Sequence, residues 1–287
     1  MMQLNDILYG EFEIEPVLID LLNSAPMQRL KNVHQGGAIF LIDPAINHTR
    51  YEHSVGVMYL VKHLGGSMEE QIAALLHDVS HTAFSHVADY IFDNANEDYH
   101  ESIYKQVIMR SEIPSILEKH GFEQGILFRE DYSILEQPLP DLCADRVDYT
   151  LRDLYHAGLT SIDDVRRFLS QLVLQDGRMA LVSMETAEWI SNKFTELNNE
   201  YFKKPEHVYA NIKLAEVLRN ALEKEIIKKS DLLKDDFEVL AQLQSDPESS
   251  RKLEDIKSMA RFKQFAVAGA SDRFKRRELH PAILCCA

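Results

Sequence analysis

Five of the chain's twelve histidines fall between His53 and His86; His53, His77, His81 and His86 are the four of interest, and Asp78 directly follows His77. Imidazole nitrogens and carboxylate oxygens together suit divalent cations, from magnesium-like ions to transition metals. A single histidine on an apolar helix face is usually a hydrogen-bonded core residue. A His-Asp pair at the end of a buried helix resists that explanation, because an ionised carboxylate is costly to bury unless it is paired or holds a metal. One further carboxylate would complete a four-ligand set.

Three helices are predicted to deliver these groups. Val57, Leu60, Val61 and Leu64 recur at i, i+3, i+4 and i+7, as do Ile72, Leu75, Leu76 and Val79, so two helices between Tyr51 and about His86 each bury one stripe. Gly65-Gly66-Ser67 links them. His53 lies four residues before Val57 and shares its inward face. A third helix is expected over 140–156. Its polar stripe is Asp141, Asp145, Asp148, Tyr149 and Arg152; its apolar one is Cys143, Val147, Leu151 and Leu154. Aspartates so close on one helix repel each other unless a cation or an arginine sits nearby. Asp145 is the best candidate for the fourth ligand.

The rest of the chain reads as an all-α protein with one small β-hairpin. Short helical pieces are expected over 1–35, around Pro16 and Pro26, an extended piece over 38–43, and the hairpin over 171–182, turning at Asp176-Gly177. Helices resume over 185–202, 205–229 and 236–244. Residues 1–202 are expected to carry the site, with 203–287 as a helical region packed on it. The segment 261–277 concentrates six basic residues against Asp272 alone.

The formal net charge of −15 disfavours a long nucleic acid as partner, since such binding rests on many Lys and Arg contacts. It leaves room for a small phosphorylated ligand in a locally basic pocket. Cys143, Cys285 and Cys286 form neither a CxxC nor an even framework. With no run of about 18 apolar residues and no secretory leader pattern, a cytoplasmic protein without membrane contact is expected. No P-loop, GxGxxG or GxSxG is present.

His53, His77-Asp78 and Asp145 resemble the H…HD…D signature of the HD superfamily of metal-dependent phosphohydrolases, built on a helical bundle. Gln28-Arg29-Leu30, His34-Gln35-Gly36-Gly37, 48–54, 77–86 and 145–149 are similar to its deoxynucleoside triphosphate triphosphohydrolase branch. The resemblance implies one divalent ion (manganese, iron, nickel, zinc or magnesium) on His53, His77, Asp78 and Asp145. It further implies phosphate contacts from Arg50, His81, His86 and Arg146, sugar contacts from Gln35, Tyr149 and Asp153, and a catalytic His100, with Asp78 and His81 taking part in the chemistry. Gly36 stands where the vertebrate enzyme of that branch has a larger apolar residue. His81 and His86 are expected to titrate near neutrality. The expected reaction is dNTP to deoxynucleoside and triphosphate, in a homo-oligomer. A 5′-nucleotidase or phosphodiesterase, or a nucleotide sensor without turnover, is the alternative.

Overall fold

Helix caps written into the sequence set up the frame of the site. In this computed structural model, which describes residues 1–268 and 278–284, the helix Arg50–His63 starts at a reciprocal cap. The Thr49 hydroxyl faces the Glu52 amide, while the Glu52 carboxylate takes the Thr49 amide at 2.7 Å. Ser67 caps the next helix, Met68–Leu76. The two helices pack on each other, and Val57, Leu60, Val61, Ile72, Leu75 and Leu76 enter one buried apolar cluster. The third helix, Ala144–His156, packs across the first.

Several sequence-based expectations shift. The chain opens with an antiparallel hairpin, Met2–Asp6 against Gly10–Ile14, where helical pieces alone were expected. The residues from Met2 to Asn5 and from Glu11 to Ile14 alternate apolar with polar, which is the period of a strand. Residues 37–41 form a 3₁₀ turn where an extended piece was expected. The third helix begins at Ala144, four residues late, because Asp141 closes a turn on the Pro138 carbonyl and Cys143 is extended. The predicted hairpin is present as Leu172–Gln175 and Arg178–Leu181, with Asp176 and Gly177 both at positive φ, and Ala282–Ile283 adds a parallel strand to it.

Beyond the hairpin, Met184–Leu197 runs into a π-helical segment, Asn198–Phe202, and then into Pro205–Glu223. That last helix packs on Val87–Ile91 and on residues 37–41, sharing a second apolar cluster that includes Phe84, Leu214 and Leu218. Asp236 joins this half to the site stretch. Its carboxylate takes the amides of His34 (2.9 Å) and Phe84 (2.6 Å) and faces His34 Nδ1 at 2.7 Å. Part of the basic segment, residues 269–277, lies outside the described residues, as do Cys285 and Cys286. No described helix is long and apolar enough to cross a membrane.

Gly56 marks the closest approach of the first and third helices. A Cβ there would overlap the Asp148 carboxylate and the Arg152 guanidinium. Both are fully buried and salt-bridged to each other, so neither can move aside cheaply. Gly56→Ala is therefore expected to lower unfolding free energy by about 1–3 kcal/mol, as overpacking does. Urea denaturation followed by circular dichroism measures it; an unchanged midpoint would contradict the packing described.

Candidate metal centre and its cleft

The four predicted ligands converge. His53 Nε2 lies 3.0 Å from Asp145 Oδ1 and 3.5 Å from Asp78 Oδ2. His77 Nε2 lies 3.4 Å from Asp78 Oδ1 and 3.5 Å from Asp145 Oδ1. His53 comes from the middle of its helix, His77 and Asp78 from just past the end of theirs, and Asp145 from the first turn of the third.

The ring of His77 is aimed by its other nitrogen, which meets the Ala74 carbonyl at 2.7 Å. That leaves His77 Nε2 buried with no hydrogen-bond partner. An imidazole held this way, with its free nitrogen among carboxylate oxygens, is what a divalent ion requires of a ligand. The residues therefore fit one divalent ion.

The electrostatics agree. Burial pushes the His53 imidazole towards neutrality, yet hydrogen bonds to Asp145 and Asp148 and the charge of Asp78 outweigh it and raise its pKa to about 10. Burial likewise opposes the ionised form of Asp78, but Arg50, then His77 and His81, hold it well below the usual carboxylate range. Asp145 is held low in the same way by His53 and His77. Clustered carboxylates thus draw positive charge into the centre, and a dication answers that demand.

The centre opens into a cleft of about 1280 Å³. Arg50 lines it, though its guanidinium grips Asp78 Oδ2 at 2.6 Å and Ser85 Oγ at 2.9 Å. Arg146 is braced by the carbonyls of Asp141 (2.6 Å) and Gln137 (3.0 Å). His81 and His100 stack with centroids 3.8 Å apart. Burial, with Arg50 and His100 nearby, holds His81 well below its ordinary value. The expectation that His81 titrates near neutrality is corrected accordingly. Burial and the neighbouring His86 bring His100 down to about 4. His86 is half-exposed, 3.0 Å from Asp89.

The remaining predicted contacts also reach the cleft. Gln35, Tyr149 and Asp153 line it. One Asp153 oxygen is taken by His48 Nε2 at 2.5 Å, a pairing the sequence did not reveal. Gln35 Oε1 is buried without a partner. So is the hydroxyl of Tyr201, which stands 2.8 Å from where a Cβ on Gly36 would be. Tyr201 was missed because its π-helical segment has no readable pattern. Asp148, which accepts from His53 Nδ1 at 2.8 Å, stood in the predicted polar stripe without a role.

Comparison with known proteins follows this geometry. The HD domain family model matches residues 50–153, the span from Arg50 to Asp153. The chain is 52% identical over 241 residues to the uncharacterized protein YdhJ of Bacillus subtilis, covering 83% of this chain and 74% of that one. It is 36% identical over 220 residues to the metal-dependent phosphohydrolase cns2 of Cordyceps militaris, covering 71% and 62%. Against deoxynucleoside triphosphate triphosphohydrolase SAMHD1 of Danio rerio the identity is 26% over 218 residues, 58% of this chain and 35% of the relative. A hypothetical protein from Aquifex aeolicus has a similar crystal structure, with a TM-score of 0.72 at 26% identity over 90% of this chain and 75% of that one. With the ligand quartet, the helical frame and these likenesses together, the chain belongs to the HD-domain superfamily of metal-dependent phosphohydrolases.

Proposed function

We propose that this chain hydrolyses a phosphate ester of a nucleotide, and that its specific reaction converts a deoxynucleoside triphosphate into a deoxynucleoside and triphosphate. The observation that carries the reading is the meeting of His53, His77, Asp78 and Asp145, with His77 Nε2 unpartnered, beside a cleft of about 1280 Å³. Small-molecule sites commonly enclose about 300–1000 Å³, so a nucleotide fits. The nucleotide part is supported by the buried, unpartnered Gln35 Oε1 and Tyr201 hydroxyl, which sugar hydroxyls would satisfy. The name of the zebrafish relative supports the triphosphate part.

A divalent ion on the quartet supplies Lewis acidity, which lowers the pKa of water and draws charge from phosphorus. In this reading Arg146, and Arg50 while it anchors Asp78, hold phosphate oxygens through charge-assisted hydrogen bonds. Neutral His81 donates one more, and His86 meets the outer phosphate. His100 is neutral in the free protein. An entering phosphate adds negative charge beside it and favours the protonated form, as a general acid for the leaving oxygen needs. Tyr149, Gln35 and Asp153, the last held by His48, orient the sugar.

A 5′-nucleotidase or phosphodiesterase would use the same centre. Asp89, Glu101 and Glu136 also line the cleft, and carboxylates there repel a long polyphosphate, which favours that second reading. We further infer a cytoplasmic homo-oligomer, from the resemblance of the chain to the assembling branch.

Three outcomes are expected. His77→Ala or Asp145→Ala is expected to lose bound metal, measured by elemental analysis, and on the order of a hundredfold in kcat, with the helical circular dichroism retained; turnover by a metal-free variant would contradict the mechanism. Metal affinity is expected to rise with pH across neutrality, because a His53 proton held up to about pH 10 must leave before the ion binds. Up to about a tenfold gain per pH unit is the limit for one released proton. Titration of the stripped protein with Mn²⁺ at several pH values measures it, and a flat profile would contradict it. Finally, ³¹P NMR of products from dNTPs, nucleoside monophosphates and a phosphodiester is expected to show triphosphate from dNTPs. Orthophosphate from monophosphates alone would give the reaction to the second reading.

A further inference from the structure

Behind His53, on the side away from the cleft, lies a buried chain of polar groups that reaches the N-terminal hairpin. His53 Nδ1 donates to Asp148 Oδ2 at 2.8 Å. Both oxygens of Asp148 are held from the other side: Arg152 Nε meets Oδ2 and Arg152 Nη2 meets Oδ1, each at 2.9 Å. The Tyr9 hydroxyl donates to Oδ1 at 2.7 Å. Arg152 Nη2 also reaches Asp6 Oδ2 at 3.0 Å. The other Asp6 oxygen accepts the amides of Leu8 (2.8 Å) and Tyr9 (3.2 Å), so the same carboxylate shapes the hairpin turn. Tyr9 in turn stacks on Tyr59, a residue of the helix that carries His53, with centroids 4.6 Å apart. His53, Asp148 and Arg152 are each fully buried, and Asp6 and Tyr9 nearly so.

As pure stabilisation this arrangement is a poor choice. Buried ion pairs replaced by well-packed apolar groups are often neutral or better in stability, and here two carboxylates share one guanidinium. What the network does provide is direction. With Nδ1–H fixed on Asp148, the lone pair of His53 is confined to Nε2, and the ring cannot rotate without breaking bonds to Asp148. Asp148 cannot turn without breaking bonds to Arg152 and Tyr9. Groups that hold a metal-ligating imidazole in this way tune its basicity and its angle.

We propose that the N-terminal hairpin is a working part of the metal centre: Asp6 and Tyr9 are positioning residues that act through Arg152 and Asp148 on His53. The inference rests on the reading that the quartet holds a metal. It adds that residues 2–14, outside the span matched by the HD domain model, set how tightly the ion is held.

The test uses the full chain, stripped of metal and titrated with Mn²⁺. Tyr9→Phe removes one hydroxyl and keeps the ring stack; Asp6→Asn keeps the shape and removes the charge. Each is expected to weaken Mn²⁺ binding by about tenfold or more, with near-native helical circular dichroism. Activity is expected to return at saturating Mn²⁺ with KM unchanged. Wild-type Mn²⁺ affinity in both variants, with only a lower melting temperature, would overturn the proposal and leave the network a structural one. If Asp6→Asn fails to fold, the isosteric Tyr9→Phe decides between the same two results. Absence of Mn²⁺ binding by the wild-type protein would instead remove the metal reading, and the proposal with it.

Discussion

Negative charge confined in a small buried volume governs this structure. Asp78, Asp145 and Asp148 all approach His53, within 2.8 to 3.5 Å of its two ring nitrogens. Carboxylates taken out of water at such separations stay ionised only if positive charge is brought to them. The fold brings it in three forms. Arg50 is fixed on Asp78, Arg152 on Asp148, and His53, its pKa raised to about 10 by the carboxylates around it, carries a proton when no metal is present. In the proposed reading, the space between Asp78, Asp145, His53 and His77 is where a dication takes over from that proton. The first helix must approach the third closely enough to put His53 between Asp145 and Asp148, hence a glycine at position 56.

This constraint also orders the cleft. Because Arg50 is committed to Asp78 and Ser85, it is pre-set at the rim of the centre. Because His81 is buried and the half-buried His100 stacks on it beside that arginine, both are neutral in the free protein. The pocket therefore offers hydrogen-bond donors while its carboxylates repel excess anionic charge. In the proposed reading, affinity for a phosphate ester then rests heavily on the bound cation, in keeping with membership of a metal-dependent family.

How much of this was legible in the sequence follows from the distance over which each feature is encoded. The four residues that meet were legible because His53 lies one turn before Val57, because a His-Asp pair has few innocent explanations, and because Asp145 stands in a stripe of aspartates that calls for a cation. The Asp176-Gly177 turn was legible because it is local, and local chemistry fixed it. What stayed hidden was long-range. Asp6 meets Arg152 across 146 positions of chain, and nothing near either residue announces the other. The N-terminal strands do carry a local alternation, but over only four residues each, and the prolines after them drew the reading towards helix. The protonation of His81 depends on burial and on Arg50, and the position of Tyr201 depends on a π-helical turn; neither leaves a periodic trace.

The central claim is spatial, and diffraction tests it most directly. In crystals soaked with Zn²⁺, the anomalous signal is predicted at a single point about 2.0–2.2 Å from His53 Nε2, His77 Nε2 and one oxygen each of Asp78 and Asp145, ordinary zinc–ligand lengths. An anomalous peak elsewhere in the cleft, or none at the quartet with Asp145 turned to solvent, would contradict the account.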